Sequence, residues 1–259
     1  MFNLSNKHIL ITGATGYLGS QIALGLAELG ATIHVNSRTR ETCERLVSDI
    51  NSKGFSAVSA SFDVTNVEEV KEYVKSLNQL DVLINNAHPA GVGGTILTAS
   101  VNNYVDNYKS SVVASANLIK VLEPQLNEAV ARAGGASIIN VSSMYGMVSP
   151  DPRIYDTDEG TNPPFYGAAK AALIQLTKYA ACELAPKNIR VNCVSPGPFP
   201  SKIAQAELPD LMHKIVSKVP MGRIGLPLEL VGPIAFLASD ASSYVTGANI
   251  PVDGGWTCW

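Results

Sequence analysis

Short apolar runs alternate with longer segments of helical periodicity along the whole chain. His8–Thr12, Thr32–Asn36, Ser56–Phe62, Asp81–Asn85, Ser137–Val141, Arg190–Val194 and Ala248–Val252 read as strands. Between them, Gln21–Leu29, Glu41–Asn51, Val67–Leu77, Asn103–Leu122, Glu123–Ala133, Tyr166–Leu184, Pro209–Lys218 and Leu228–Ala238 carry helical spacing. Gly30 is expected to close the first helix. The strands are near-continuous apolar runs, which implies a parallel sheet covered on both faces. The expected fold class is α/β: one doubly wound domain over residues 1–259, with a seven-stranded parallel sheet and helices on both faces. Such sheets bind ligands beyond the carboxyl ends of their strands. The candidate residues below all fall there. No repeat or long linker divides the chain.

Composition narrows the classes of function. Hydrophobic residues make up 46% of the chain and charged residues 16%, too apolar for a disordered segment. The net charge is −3 and no Lys/Arg run stands out, so nucleic-acid binding is not expected. No apolar run approaches the roughly 18 residues of a membrane span. The polar start, Met1 to Lys7, lacks the pattern of a signal peptide, and a cytoplasmic location is expected. Cys43, Cys182, Cys193 and Cys258 form no C-x-x-C pair and no zinc-site spacing, so free thiols and no metal are expected.

The first strand runs into Thr12-Gly13-Ala14-Thr15-Gly16-Tyr17-Leu18-Gly19. Glycines here let the backbone approach a pyrophosphate, and the following helix N-terminus favours the anion. The same spacing also serves a tight strand-to-helix turn with no ligand. After the second strand comes Asn36-Ser37-Arg38-Thr39-Arg40, with no acid between Glu28 and Glu41. An acid there would bind a ribose 2′-hydroxyl, whereas Arg38 suits a 2′-phosphate. NADP(H) is therefore expected over NAD(H), the alternative being that Arg38 is a solvated loop charge. Asp63 is placed either to accept from the adenine amino group or to cap a turn.

Tyr166-Gly167-Ala168-Ala169-Lys170 puts a phenol and an ammonium one helical turn apart. A nearby positive charge favours the phenolate, which suits tyrosine to acid/base work. With its surroundings, the chain resembles the short-chain dehydrogenase/reductase family, a Rossmann-fold group, over essentially its whole length. The matching residues are the Thr12–Gly19 turn, Asn85-Asn86-Ala87, Asn107, Val141-Ser142-Ser143, Tyr166-x-x-x-Lys170, Ile189-Arg190-Val191-Asn192, Ser195-Pro196-Gly197, Gly222-Arg223-Ile224-Gly225 and Val252-Asp253-Gly254-Gly255.

The resemblance implies Tyr166 as general acid/base and Lys170 as its partner and ribose ligand. It implies Ser143 as the hydrogen bond to the substrate oxygen, in preference to Ser142, and Asn107 as a fourth catalytic residue acting through its carbonyl. It implies cofactor contacts from Gly13, Thr15, Gly16, Tyr17, Leu18, Gly19, Ser37, Arg38, Asp63, Val64, Asn86, Ala87, Tyr166, Lys170, Pro196, Gly197 and Phe199. Family members are usually homodimers or homotetramers.

Three features depart from the family pattern. Gly16 is the middle glycine of the turn and Tyr17 fills the usual glycine place. His88 follows Asn85-Asn86-Ala87 where glycine is typical. Ser143 and Tyr166 lie further apart than usual, with an inserted segment at about 147–165 rich in Pro, Asp and hydroxyl groups. An ordered loop is expected there, with residues 199–218 as a substrate lid. His88, Tyr145, Arg153 and Tyr155 are candidate substrate contacts. The expected activity is interconversion of a ketone and a secondary alcohol on a polar, sugar-like or polyol substrate. A 3-oxoacyl thioester reductase, or a non-catalytic nucleotide-sensing or scaffold protein on the same fold, are the alternatives.

Overall fold

The structure is a computed structural model that describes residues 2–89 and 91–259; Met1, at the polar start of the chain, and Ala90 lie outside the described residues. Seven strands are present: β1 (His8–Ile11), β2 (Thr32–Ser37), β3 (Ser56–Ser61), β4 (Val82–Asn85), β5 (Ala136–Val141), β6 (Ile189–Pro196) and β7 (Asn249–Val252). They form one parallel sheet in the order β3-β2-β1-β4-β5-β6-β7. β4 and β5 are buried along their whole lengths, as central strands covered on both faces must be, while the edge strand β3 buries only Ala57 and Ala60.

Helices α1 (Tyr17–Glu28), α2 (Arg40–Ser52), α3 (Val67–Lys75), α4 (Val101–Tyr108), α5 (Ala114–Ala133), α6 (Pro164–Leu184) and α9 (Val231–Ala238) flank the sheet, while α7 (Lys202–Glu207) and α8 (Pro209–Lys218) lie outside it. One apolar core joins α1, α9 and the sheet through Ile9, Ile22, Leu26, Ile33 and Ile234. A second, through Leu10, Leu83, Leu118, Leu122 and Ile189, lies on the opposite face. The strand order reverses between β1 and β4, so their carboxyl ends open the crevice where such folds take ligands.

Three boundaries differ from the sequence expectation. α1 begins at Tyr17 rather than Gln21, which places Gly19 inside its first turn. The break expected near Glu123 is absent, because α5 runs through Pro124. Pro124 and Lys120, whose carbonyl loses its donor, both lie on the exposed face, where solvent replaces the missing bond. The irregularity falls earlier, in a π-helical turn at Lys109–Val113 directly after α4. Within the inserted segment a single 3-10 turn, Pro152–Ile154, interrupts the loop, and the expected lid is two short helices, α7 and α8.

Candidate active site

The glycine turn is bolted to its neighbours from three sides. Asn36 Nδ2 donates to the carbonyls of Ala60 and Phe62, at 2.8 and 3.1 Å, while its Oδ1 accepts from Gly13 N–H. Thr12 Oγ1 accepts from the N–H groups of Asn86 and Ala87, both at 3.0 Å. Asn86 Nδ2 returns bonds to the carbonyls of Thr12 and Gly13. Gly13 has φ +62°, and a Cβ there would sit 2.8 Å from Ala87 Cα. A Cβ on Gly19 would meet the Gly13 carbonyl at 2.4 Å, so the helix packs onto the turn only because Gly19 has none. The N-terminus of α1 has no side-chain cap and no acid in its first turn. Its free N–H groups and dipole therefore face the crevice, and they fit an anion such as a dinucleotide pyrophosphate. Thr15 and Leu18 are half-buried beside this turn, while Gly16 and Tyr17 are exposed.

The residues read as adenosine contacts cluster at the ends of β2 and β3. Ser37 Oγ is engaged with Thr39 and Thr42. Arg38 is exposed and has no ion-pair partner among the described residues, whereas neighbouring Arg40 pairs with Glu44 at 2.6 Å. Asp63 Oδ1 accepts from Thr65 N–H and Oγ1, both at 2.8 Å, so one carboxylate oxygen serves the turn. Val64 packs on the second core. On the far side, Gly197 N–H donates to the Val252 carbonyl at the ends of β6 and β7, fixing Pro196 and Gly197. The Phe199 ring fills the space above Gly225, where a Cβ would lie 2.4 Å from the ring.

The catalytic candidates meet where β5 ends. Ser142 and Ser143 point opposite ways: Ser142 Oγ donates to the Lys170 carbonyl at 2.8 Å, whereas Ser143 Oγ accepts from Tyr145 N–H at 3.1 Å. The 3-10 turn Met144–Gly146 lies directly on α6, a close approach that two glycines permit. A Cβ on Gly146 would meet the Lys170 backbone at 2.8 Å, and one on Gly167 the Tyr145 carbonyl at 2.7 Å. Ser143 is thereby pressed toward Tyr166. Burial raises the Tyr166 pKa above its ordinary value, and the Ser143 hydroxyl opposes the rise. Lys170 is only 3% exposed, lies 5.7 Å from the Tyr166 ring centre and donates to the Val141 carbonyl at 2.8 Å. Burial lowers its pKa to about 8.

Asn107 is buried in the last turn of α4. Its Nδ2 donates to the Asn103 carbonyl, its Oδ1 has no partner among the described residues, and its own carbonyl accepts from Ser110 Oγ at 3.2 Å. His88 stands edge-on to Tyr166 with ring centres 4.9 Å apart, and its Nδ1 lies 3.2 Å from Ser111 Oγ in the π-helical turn. Burial, and then the Lys170 charge, lower its pKa to about 3, so the imidazole is neutral at working pH.

The inserted segment spans the mouth of the crevice. Gly94 N–H donates to the Thr161 carbonyl on one side. On the other side, Ile154 and Tyr155 pack with Leu211 and Ile215 of α8, Val219 and Trp256. Lys214 pairs with Asp156 at 2.5 Å, and Lys218 with Asp151. Tyr145 and Tyr155 share a hydroxyl contact of 2.9 Å. Arg153 stands apart from them, its exposed guanidinium paired with Asp151. Burial favours phenols, which carry no charge, over a guanidinium. The four cysteines are free. Among the described residues no helix is long and apolar enough to cross a membrane, and no cluster of three His, Cys, Asp or Glu is arranged to hold a metal.

Sequence reasoning gave no role to Asn36 or Ser111. Asn36 carried a signal, because it is a polar residue at the buried end of β2, where an uncharged amide needs hydrogen-bond partners.

Comparison with known proteins agrees with this architecture. A family model described as enoyl-(acyl carrier protein) reductase matches residues 13–257. The 3-oxoacyl-(acyl-carrier-protein) reductase of Staphylococcus aureus is 34% identical over 258 residues, covering 96% of this chain and 97% of the relative. A short-chain type dehydrogenase/reductase from Mycobacterium marinum superposes with a TM-score of 0.85 at 32% identity, over 100% of this chain and 98% of that one. The chain belongs to the short-chain dehydrogenase/reductase family. A gluconate 5-dehydrogenase from Burkholderia cenocepacia, solved with NADP and tartrate, also superposes, with a TM-score of 0.88, 28% identity, and coverage of 100% and 98%. As a member of this family, the protein is an oxidoreductase built on the Rossmann fold.

Proposed function

We propose that this oxidoreductase interconverts a ketone and a secondary alcohol on a polar, polyhydroxylated small molecule, with NADP(H) preferred over NAD(H). One observation carries the reading: a buried Lys170 ammonium lies beside the Tyr166 ring, with the Ser143 hydroxyl facing the same phenol. When bound, a nicotinamide cofactor supplies the hydride chemistry that amino-acid side chains lack. The chain supplies the proton and the orientation. In reduction, the Tyr166 hydroxyl gives its proton to the carbonyl oxygen, and Ser143 Oγ donates a hydrogen bond to that oxygen. The Lys170 charge then favours the phenolate left behind. In oxidation the phenolate takes the proton back. Asn107, buried in α4, is read as the fourth catalytic residue, acting through its backbone carbonyl.

The residues fit a dinucleotide: α1 and its glycine turn for the pyrophosphate, Ser37 and Arg38 for a 2′-phosphate, Asp63 and Val64 for adenine. Asn86, Ala87, Pro196, Gly197 and Phe199 would flank the nicotinamide end. The unpaired Arg38 supports NADP(H), because a guanidinium binds phosphate through a planar fork of donors. The protein is read as a cytoplasmic homodimer or homotetramer.

A second reading is 3-oxoacyl thioester reduction, favoured by the 34% identity to the staphylococcal reductase. Nicotinamide absorbance with a panel of ketoses, keto-acids and acetoacetyl thioesters, each with NADPH and NADH, separates the two. The proposal expects the best ketose or keto-acid to exceed the thioester in kcat/KM. Faster thioester turnover would reverse the order.

A further inference from the structure

The segment that delivers Tyr166 carries hydrogen-bonding groups that the proton transfer does not use. Tyr145 lies two residues after Ser143, and its hydroxyl meets that of Tyr155 at 2.9 Å. The Asn162 backbone N–H also acts on the Tyr155 hydroxyl, opposing the rise that burial causes in its pKa. Asn162 lies four residues before Tyr166. Its side-chain Oδ1 is buried and has no partner among the described residues. Burial, Tyr155 and Tyr166 all act to raise the Tyr145 pKa, so the pair lies within electrostatic reach of the catalytic phenol.

Counting protons shows what is missing. Each phenol brings one hydroxyl proton, and the Tyr145–Tyr155 contact uses one of the two. The half-buried pair makes no second hydrogen bond among the described residues, which leaves the other proton to a ligand or to solvent, and the buried Asn162 Oδ1 has no donor. Around them Met144, Ile154, Val219 and Trp256 form an apolar wall, and Trp256 meets the Tyr145 ring edge-on at 6.5 Å. Unmet polar groups in such surroundings are costly. A group that accepts from the phenol and donates to the amide would satisfy both. A hydroxyl does this, whereas a ketone or thioester carbonyl only accepts and a methylene does neither.

We propose that Tyr145, Tyr155 and Asn162 form a hydroxyl-reading wall that selects polyhydroxylated ketones and alcohols over acyl chains. It rests on the carbonyl–alcohol reading above and assigns the choice of substrate to the inserted segment. His88 and Ser111 flank Tyr166 separately and are not part of the wall.

The test compares kcat/KM for a panel of ketoses and keto-uronic acids with that for straight-chain 2-alkanones, in the wild type, Tyr155→Phe and Asn162→Ala. The wild type is expected to favour the best hydroxylated ketone by about 100-fold or more, as sites built for a hydroxyl do. Each variant is expected to lower that ratio about 10-fold, the cost of one hydrogen bond. Alkanone turnover should fall far less than turnover of the hydroxylated ketone, so the ratio of the two carries the readout. A ratio unchanged in both variants overturns the proposal while leaving the carbonyl–alcohol reading intact. Alkanones preferred by the wild type overturn it as well. No turnover of any ketone overturns the underlying reading and the proposal together. Cofactor affinity, read by nicotinamide fluorescence, reports the fold. Tyr155→Phe keeps the ring and decides the question if Asn162→Ala does not fold.

Discussion

The floor of the crevice and the canopy above it are built by different rules. The floor, at the ends of β1, β4 and β5, is held by backbone contacts and bonds to the chain: Asn36 and Asn86 on the glycine turn, Ser142 on the Lys170 carbonyl, Lys170 on the Val141 carbonyl. Four glycines are needed there because a Cβ would strike a neighbouring strand, turn or helix. The canopy, residues 147–165 with α8, has a backbone bond from Gly94 to Thr161 on one side, but against α8 and Tyr145 it is held by side chain on side chain: Lys214 with Asp156, Lys218 with Asp151, Tyr145 with Tyr155. Backbone constraints tolerate few substitutions. Side-chain pairs can be exchanged one by one, so a canopy can be refitted to a new substrate over an unchanged floor.

The comparison breaks most visibly at Lys170. Its lowered pKa means that the unfolded chain binds more protons between about pH 8 and the ordinary lysine value, so stability rises with pH through that window. Below about pH 8 both states hold the proton and the burial cost is fully present. Lys170→Met at pH 7 is therefore expected to cut turnover by about 1,000-fold. It should also stabilise the fold by on the order of 1–2 kcal/mol, after allowing for the Val141 carbonyl left without its donor. Denaturant unfolding alongside steady-state kinetics checks both signs. A loss of both activity and stability would place Lys170 among the structural residues.

Arg38 sharpens the cofactor half of the floor. Arg38→Ala is expected to raise KM for NADP(H) about 10- to 100-fold and to leave NAD(H) within about 2-fold, because one charged contact to phosphate is lost. Equal effects on both cofactors would make Arg38 a solvated loop charge. The smallest effect belongs to the canopy. Lys214→Ala removes a largely exposed ion pair and should cost under about 1 kcal/mol, less in high salt. Thermal unfolding at low and high salt checks this, and a loss of several kcal/mol would mean that the canopy is structural to the whole fold.

The same division explains what the sequence revealed. The central strands were readable because a buried parallel strand is a largely apolar run, and the partly exposed β3 and β7 were readable from their short β-prone runs between turn residues. The Tyr166–Lys170 and glycine-turn spacings were readable because helix and turn geometry tie them to fixed separations. The partner of Tyr155 was not, because Tyr145 reaches it through a fold of the inserted loop that no periodicity encodes. The pairing of Arg153 with Asp151, two residues away, was not readable either, for the same reason. The continuous α5 was missed because proline is a helix breaker in general, and only its exposed position makes Pro124 tolerable.

The central claim is that Tyr166 moves the proton while other residues hold the cofactor. The most direct test is Tyr166→Phe, with turnover and NADPH affinity measured on the same preparation. The account predicts a loss of turnover of about 1,000-fold or more, with cofactor affinity within about 3-fold of the wild type. Turnover that survives the substitution would contradict it and would move the acid/base role to another group in the crevice.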